Sequence, residues 1–288
     1  MKSPVSPIDS ASWTIEPRVQ ALTARVGEVW QYRRLLRFFA AKSLEKLYRR
    51  TVLGGAWLFI RPLFPLVVKT LIFGGVLNVS SDGLPYFLFL VIGQSIWELF
   101  AGCTLWGTRS LELNRSLITR IYVPRLILPL AMMSPAYLTF GIHLLVLASA
   151  LGYYRVTQGV FFVGYWSGLA AALLAVALTT LLALGLSLWL SVPALQARDV
   201  RFTLNYVLSF WIFLTPVMFP LSAAPTGWHR WLALNPMTAY TLMFKSAFIP
   251  GVFPSTTVIA TAVSITAVVL LSGLWYFNRA ESDAADKV

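Results

Sequence analysis

Two cations interrupt the first long apolar run of this chain. Arg61 and Lys69 are separated by seven residues that include Pro62 and Pro65. At the rise of an α-helix they lie about 12 Å apart along the axis. Arg61, Pro65 and Lys69 follow an i, i+4, i+8 line, and Trp57 and Phe64 fall close to Arg61 on the helical wheel. A cation at mid-membrane costs at least about 2.5–3.5 kcal/mol and is rarely turned to lipid. Three arrangements meet that cost. Arg61 and Lys69 can line a protein- or water-walled path for an anionic or heavily hydroxylated cargo. They can pair with Glu98, whose depth in the second apolar run lies between theirs. Arg61 can also snorkel to the inner surface.

A second group is aromatic. Tyr206, Phe210 and Phe213 recur at i, i+4, i+7, with Asn205 and Ser209 on the adjoining edge. Aromatic faces stack on sugar rings, and amide and hydroxyl groups bond sugar hydroxyls, so such a face suits a saccharide channel. The same spacing also serves plain helix packing. A third group lies between Arg109 and Arg125, where Leu111, Leu113, Leu117 and Ile118 are too apolar for a free loop. Ser110 is placed to cap a short helix there. That helix either docks in a cleft on a soluble partner or lies on the bilayer as a basic anchor.

Several chemistries lack their residues. No G-x-x-x-x-G-K-[ST] occurs, because Lys42-Ser43 and Lys69-Thr70 both lack the preceding glycine, so no P-loop is available for ATP. The 11 acidic residues are scattered, and of these Glu98 alone falls deep in an apolar run. Mg²⁺-dependent lipid-diphosphate chemistry needs several oxygen ligands together. Cys103 is the one cysteine, and His143 and His229 are far apart, which leaves no metal spacing. An enzyme is not expected.

The elements that must position these residues follow from composition. Of 288 residues, 58% are hydrophobic and 12% charged, with a mean hydropathy of +0.72. Soluble domains carry about twice that share of charge. An all-α polytopic membrane protein is the expected fold class. Six apolar segments are long enough for a hydrocarbon core of about 30 Å, at roughly 52–77, 85–108, 124–152, 164–192, 200–220 and 253–277. Short links at 78–84 and 193–199 join them. The layout is a cytoplasmic segment over 1–51, a six-span domain over 52–277 and a cytoplasmic tail over 278–288.

The net charge of +12 does not point to nucleic acid, because ten of the 23 Lys/Arg precede the first apolar run. With the N-terminus inside, 18 basic residues fall in inner segments and three (Arg155, Arg230 and Lys245) in outer ones. That asymmetry places both termini in the cytoplasm. Residues 1–25 contain no apolar stretch of signal-peptide kind. Over Glu28–Arg50, Leu36, Phe39, Ala40, Leu44 and Leu47 share a face opposite Lys42, Glu45 and Arg49, which predicts an amphipathic interfacial helix. Leu221–Phe253 is broken by prolines and predicts short re-entrant or interfacial helices, with Trp228, Trp231 and Tyr240 at headgroup level.

A family resemblance rests on ordered blocks. These are Tyr48-Arg49-Arg50-Thr51-Val52-Leu53-Gly54-Gly55-Ala56-Trp57 leading to Arg61-Pro62-Leu63, Asp82-Gly83-Leu84-Pro85-Tyr86, and the run from Asn114 through Tyr122-Val123-Pro124-Arg125 to Pro129. Arg198-Asp199-Val200-Arg201, Thr215-Pro216-Val217-Met218-Phe219-Pro220 and Leu234-Asn235-Pro236-Met237 follow. In this order, over 45–250, they resemble the permease subunits of type-2 ABC exporters for lipid-linked polysaccharides, of the O-antigen, teichoic-acid and capsule kinds. In that pattern a neutral residue is commoner than arginine at position 61, and Lys69 is not a signature.

The resemblance implies a transport subunit without its own ATPase site, in the bacterial inner membrane. Two copies form the channel, and two separate nucleotide-binding ATPase subunits carry the ATP and Mg. The chain itself binds no cofactor. The cargo implied is a polyprenyl-diphosphate-linked glycan. Spans one and five resemble the channel-lining helices, so Trp57, Arg61, Phe64, Lys69 and Glu98 join Asn205, Tyr206, Ser209, Phe210 and Phe213 as path candidates. Arg49 and Arg50 are placed to attract the lipid diphosphate. Leu111, Glu112, Asn114, Arg115 and Leu117 resemble the coupling helix that engages the ATPase, over about 110–119. Alternatives are a type-2 ABC exporter of a drug or small lipid and an ion-coupled secondary transporter. The latter often shows internal repeats and embedded acids, of which this chain offers no repeat and a solitary Glu98.

Overall fold

Long runs of Leu, Ala, Val and Phe without water to bond the backbone leave helix as the way to satisfy every N–H and C=O. The computed structural model describes residues 30–48, 54–115, 124–160 and 166–285, with Gly27, Val52 and Phe162. Among these residues every regular element is helical and no strand occurs. The helices are α1 (Arg33–Tyr48), α2 (Trp57–Lys69), α3 (Tyr86–Thr108), α4 (Ser110–Leu113), α5 (Ile127–Met132) and α6 (Ser134–Gln158). They continue as α7 (Trp166–Gln196), α8 (Arg198–Trp211), α9 (His229–Leu234), α10 (Pro236–Lys245) and α11 (Thr256–Ala285).

Among the described residues five helical stretches are long and apolar enough to cross a membrane: Gly54–Val76, Tyr86–Thr108, Ile127–Gln158, Trp166–Gln196 and Thr256–Ala280. They match the first four and the last of the apolar runs. The second link is shorter than the sequence suggested. α7 continues through Pro193 to Gln196, and Ala197 alone turns the chain, with φ −131° and ψ 123°.

The fifth run departs from its expected form. Helix is expected over 200–220, yet α8 ends at Trp211 and a 3₁₀ turn at Ile212–Leu214 closes it. Pro216 explains the stop, since a proline disfavours helical backbone at the residue before it. Thr215 is extended, at φ −125° and ψ 136°. The freed groups find partners from later in the chain. Asn235 Nδ2 donates to the Leu214 carbonyl at 2.9 Å, and Lys245 Nζ donates to the Pro216 carbonyl at 2.6 Å. Asn235 also caps α10, its side chain accepting from the Met237 N–H, and its Oδ1 accepts from Trp211 Nε1. The Thr215–Pro220 and Leu234–Met237 blocks thus meet in one joint.

α3 lies at the centre, packed by α6, α7 and α10, with Leu88, Phe89, Leu90, Ile96, Leu99 and Phe100 buried. α7 and α11 pack closely along their length. A Cβ on Gly185 would stand 2.8 Å from Leu270 Cα, and one on Gly273 would stand 2.5 Å from the Gly185 carbonyl oxygen, so this approach needs glycine on both sides. Over 221–250 the chain forms 3₁₀ turns, α9 and α10. Trp228 and Trp231 are exposed. Tyr240 is not at a headgroup surface. It is fully buried, and its hydroxyl donates to the Ala262 carbonyl beside Thr266. All of α10 is buried, because it is wedged among α3, α7 and α11.

α1 shows the expected two-faced pattern in part. Phe39 is buried against Leu128, Ala131 and Phe277, while Glu45 is exposed. Ser43 Oγ lies 2.8 Å from Ser134 Oγ, so α1 is pinned to the helical bundle itself.

Candidate functional site

The first site forms where α2 leans on α3 and α6. A cavity of about 210 Å³ is lined by Trp57, Arg61, Pro62, Pro65, Gln94, Glu98 and Thr139 among others. The two prolines shape it, since each removes a helix hydrogen bond and bends the ladder. A π-helical turn, Thr70–Val76, follows α2 directly. Arg61 is exposed and makes no ion pair or hydrogen bond with the described residues. Lys69 does not meet Glu98 directly. Its Nζ donates to Gln94 Oε1 at 3.1 Å, and Gln94 Nε2 donates to Glu98 Oε1 at 2.7 Å. Sequence reasoning left path lining and pairing with Glu98 as alternatives for the two cations. Lys69 is linked through Gln94 to the acid, and Arg61 borders the cavity.

Phe64 does not join this group. It is 69% exposed on the outer side of α2, where the helical wheel had set it beside Arg61. Pro62, Pro65 and Leu66 line the cavity on one side of Arg61, and Phe64 lies to its other side. With Phe59, Val67 and Leu71 it forms an uncovered apolar face.

The second site is the outer face of α8. Tyr206 and Phe210 are 68% and 71% exposed and line a hollow of about 460 Å³ with Thr203, Val207, Trp211 and Leu214. Phe213 lines a neighbouring hollow with Phe219, Trp228 and Leu232. Asn205 Nδ2 donates to the Arg201 carbonyl and Ser209 Oγ to the Asn205 carbonyl, so both spend a donor on their own helix. α8 packs on α7 and α3, and α2 packs on α3 and α6. The path candidates thus occupy two separate surfaces of one chain.

The third site joins α4 to the foot of α8. Arg201 Nη1 donates to Glu112 Oε1 at 2.6 Å, and Arg109 Nε lies 3.8 Å from Glu112 Oε2. Leu111 is 3% exposed, in a cluster with Phe39, Ile127 and Val192, and Asn114 is equally buried, its Nδ2 bonding the Ser110 carbonyl. These two side chains face the chain's own interior. Arg115 is exposed. Ser110 does not cap α4: Arg109 holds the cap position, and the Ser110 hydroxyl is buried inside the turn. Leu117, Arg49 and Arg50 lie outside the described residues.

Three residues escaped the reading of the sequence. Gln94 was legible as the i−4 neighbour of Glu98 on one helix face. Arg201 carried a signal in its charge, opposite to that of Glu112. Lys245 gave none. It is 1% exposed, with Nζ 3.5 Å from the Phe89 ring centre, and no carboxylate pairs with it among the described residues.

Comparison with known proteins agrees with this architecture. The chain is 26% identical over 268 residues to an O-antigen export system permease protein, RfbA, of Myxococcus xanthus, covering 91% of this chain and 98% of that one. A Klebsiella pneumoniae protein of the same name is 24% identical over 246 residues, covering 85% and 91%. The polysialic acid transport protein KpsM of Escherichia coli is 22% identical over 251 residues, covering 83% and 93%. The family model described as ABC-2 type transporter matches residues 34–249, which take in the cavity, the α8 face and the α4 joint. This multi-pass membrane chain belongs to the ABC-2 type transporter family.

Proposed function

We propose that this chain is the channel-forming permease of an ATP-driven exporter that moves polyprenyl-diphosphate-linked polysaccharide of the O-antigen kind across the bacterial inner membrane. Two copies line the channel, and two separate ATPase subunits bind beneath it. In this reading α8 with its 3₁₀ turn is the sixth crossing, 221–250 re-enters from outside, and both termini are cytoplasmic.

One observation carries the proposal. Within the chain, 6% of the apolar window of the first span is buried, against 83% for the second. A span left so bare, in the same molecule as the bare aromatic face of α8, needs a further wall. A second copy supplies one, and the enclosed space then has Arg61 for phosphate and Tyr206 and Phe210 for sugar rings. The names of the relatives support the cargo.

The α4 joint supports the mechanism. Motion of an ATPase against α4 reaches α8 through Glu112 and Arg201, so nucleotide binding biases the span that lines the path. Deleting the gene in its host tests the reading. Surface polysaccharide disappears and lipid-linked precursor accumulates inside if the proposal holds. Unchanged surface polysaccharide contradicts it.

A further inference from the structure

The largest cavity described shares the Leu221–Ala223 turn and α9 with the Phe213 hollow but opens among other residues, beside the turn before α3 and so at the end of α3 opposite the Glu112–Arg201 joint. It measures about 630 Å³, within the usual range for small-molecule pockets. Its walls come from the turn before α3, the 3₁₀ turn at Leu221–Ala223, α9, α10 and the segment leading into α11.

We infer that this cavity is an outer binding subsite for a neutral sugar residue of the exported glycan. The inference rests on the function proposed above and adds a site to it. The lining has the chemistry a pyranose requires. Asp82 offers a carboxylate, steadied by Ser222 Oγ at 3.3 Å. His229 lines the cavity with its Nε2 donating to the Ala224 carbonyl at 3.0 Å, which fixes the ring there. Ser255 adds a hydroxyl, and Phe253, 56% exposed, adds an aromatic face.

Thr238 gives an independent pointer. It lines the cavity at 1% exposure, and its Oγ1 has no hydrogen-bond partner among the described residues. Buried hydroxyls are nearly always bonded, and a sugar hydroxyl in the cavity would complete this one. The charge at the wall bears on the ligand. Among the described lining residues there is no Lys or Arg, and the carboxylate of Asp82, which the buried Lys245 feels electrostatically without reaching the cavity, is the anion presented there, which suits an uncharged sugar's hydroxyls and opposes a phosphate-bearing lipid headgroup.

Saturation-transfer NMR on the full chain in lipid nanodiscs tests this with free glucose, galactose, mannose, rhamnose and N-acetylglucosamine, and with glycerol phosphate as the headgroup probe. At least one neutral sugar is expected to bind. Asp82→Asn, which keeps a residue tolerant of the φ of 50° found there, weakens binding about tenfold through one lost charged hydrogen bond. Phe253→Ala weakens it as well. Binding of no sugar, binding indifferent to Asp82→Asn and Phe253→Ala, or displacement by glycerol phosphate overturns the inference. The gene-deletion result is read separately, so a failed subsite and a failed export reading give different outcomes.

Discussion

Glu112 and Arg201 stand 89 residues apart in the chain and 2.6 Å apart in space, and their ion pair is the polar link between the short helix α4 and the foot of α8. Both side chains are partly exposed, at 32% and 19%. Such pairs contribute little stability, about 1 kcal/mol or less. In the proposed mechanism the pair serves as a lever between two helices.

The first prediction follows. Glu112→Ala and Arg201→Ala each lower export about tenfold at normal protein level, while the ATPase activity of the complex persists. The reversed pair, Glu112→Arg with Arg201→Glu, recovers part of the export. Surface polysaccharide measured beside nucleotide turnover checks this, and loss of both together would argue for simple misassembly.

Gln94 is the bridge between Lys69 and Glu98. Gln94→Leu strands two partly buried groups and is expected to lower stability by about 2–3 kcal/mol, seen as a fall in the thermal unfolding midpoint in detergent. Replacing both charges, Lys69→Met with Glu98→Gln, is expected to cost less than either single change, because no unpaired charge is left behind.

Arg61 behaves differently, since it has no partner to strand among the described residues. Arg61→Leu is expected to reduce export with dimer assembly intact on size-exclusion chromatography. Ser209→Trp, on the bare face of α8, slows glycan passage with equally normal assembly. Full export by Ser209→Trp would assign that face to packing.

Lys245 is a structural cation. Lys245→Met removes the donor to the Pro216 carbonyl and the charge over Phe89, with an expected loss of about 1.5–3 kcal/mol. Lower membrane abundance and an earlier unfolding midpoint are the readouts.

The sequence made the long spans legible because an apolar run of twenty residues admits few alternatives to a helix. It also exposed the two-faced character of α1, through Phe39 against Glu45. Length of α8 was hidden, because hydropathy averages over Pro216 while the backbone cannot. Lys245 was hidden for a related reason. Counting charges treats a lysine in a loop as solvated, whereas its acceptors exist because a proline 29 residues earlier frees two carbonyls. Among the path candidates, Trp57, Arg61 and Glu98 share a cavity as their helix positions suggested. Phe64 points away, because nearness to Arg61 on the wheel did not say on which side of Arg61 the cavity opens.

The same bare surface of α2 predicts a copy-to-copy contact. With Cys103 replaced by serine, a cysteine introduced by Phe64→Cys is expected to give a disulfide-linked dimer in native membranes. The equivalent change at Phe89, buried in α3, gives none.

Reconstitution into sealed vesicles goes to the centre of the account. Lipid-linked polysaccharide supplied on the outside of inverted vesicles is predicted to enter the lumen when this chain, its P-loop ATPase companion and ATP are all present, and to stay outside when the companion is omitted. Net accumulation driven by this chain alone would contradict the account.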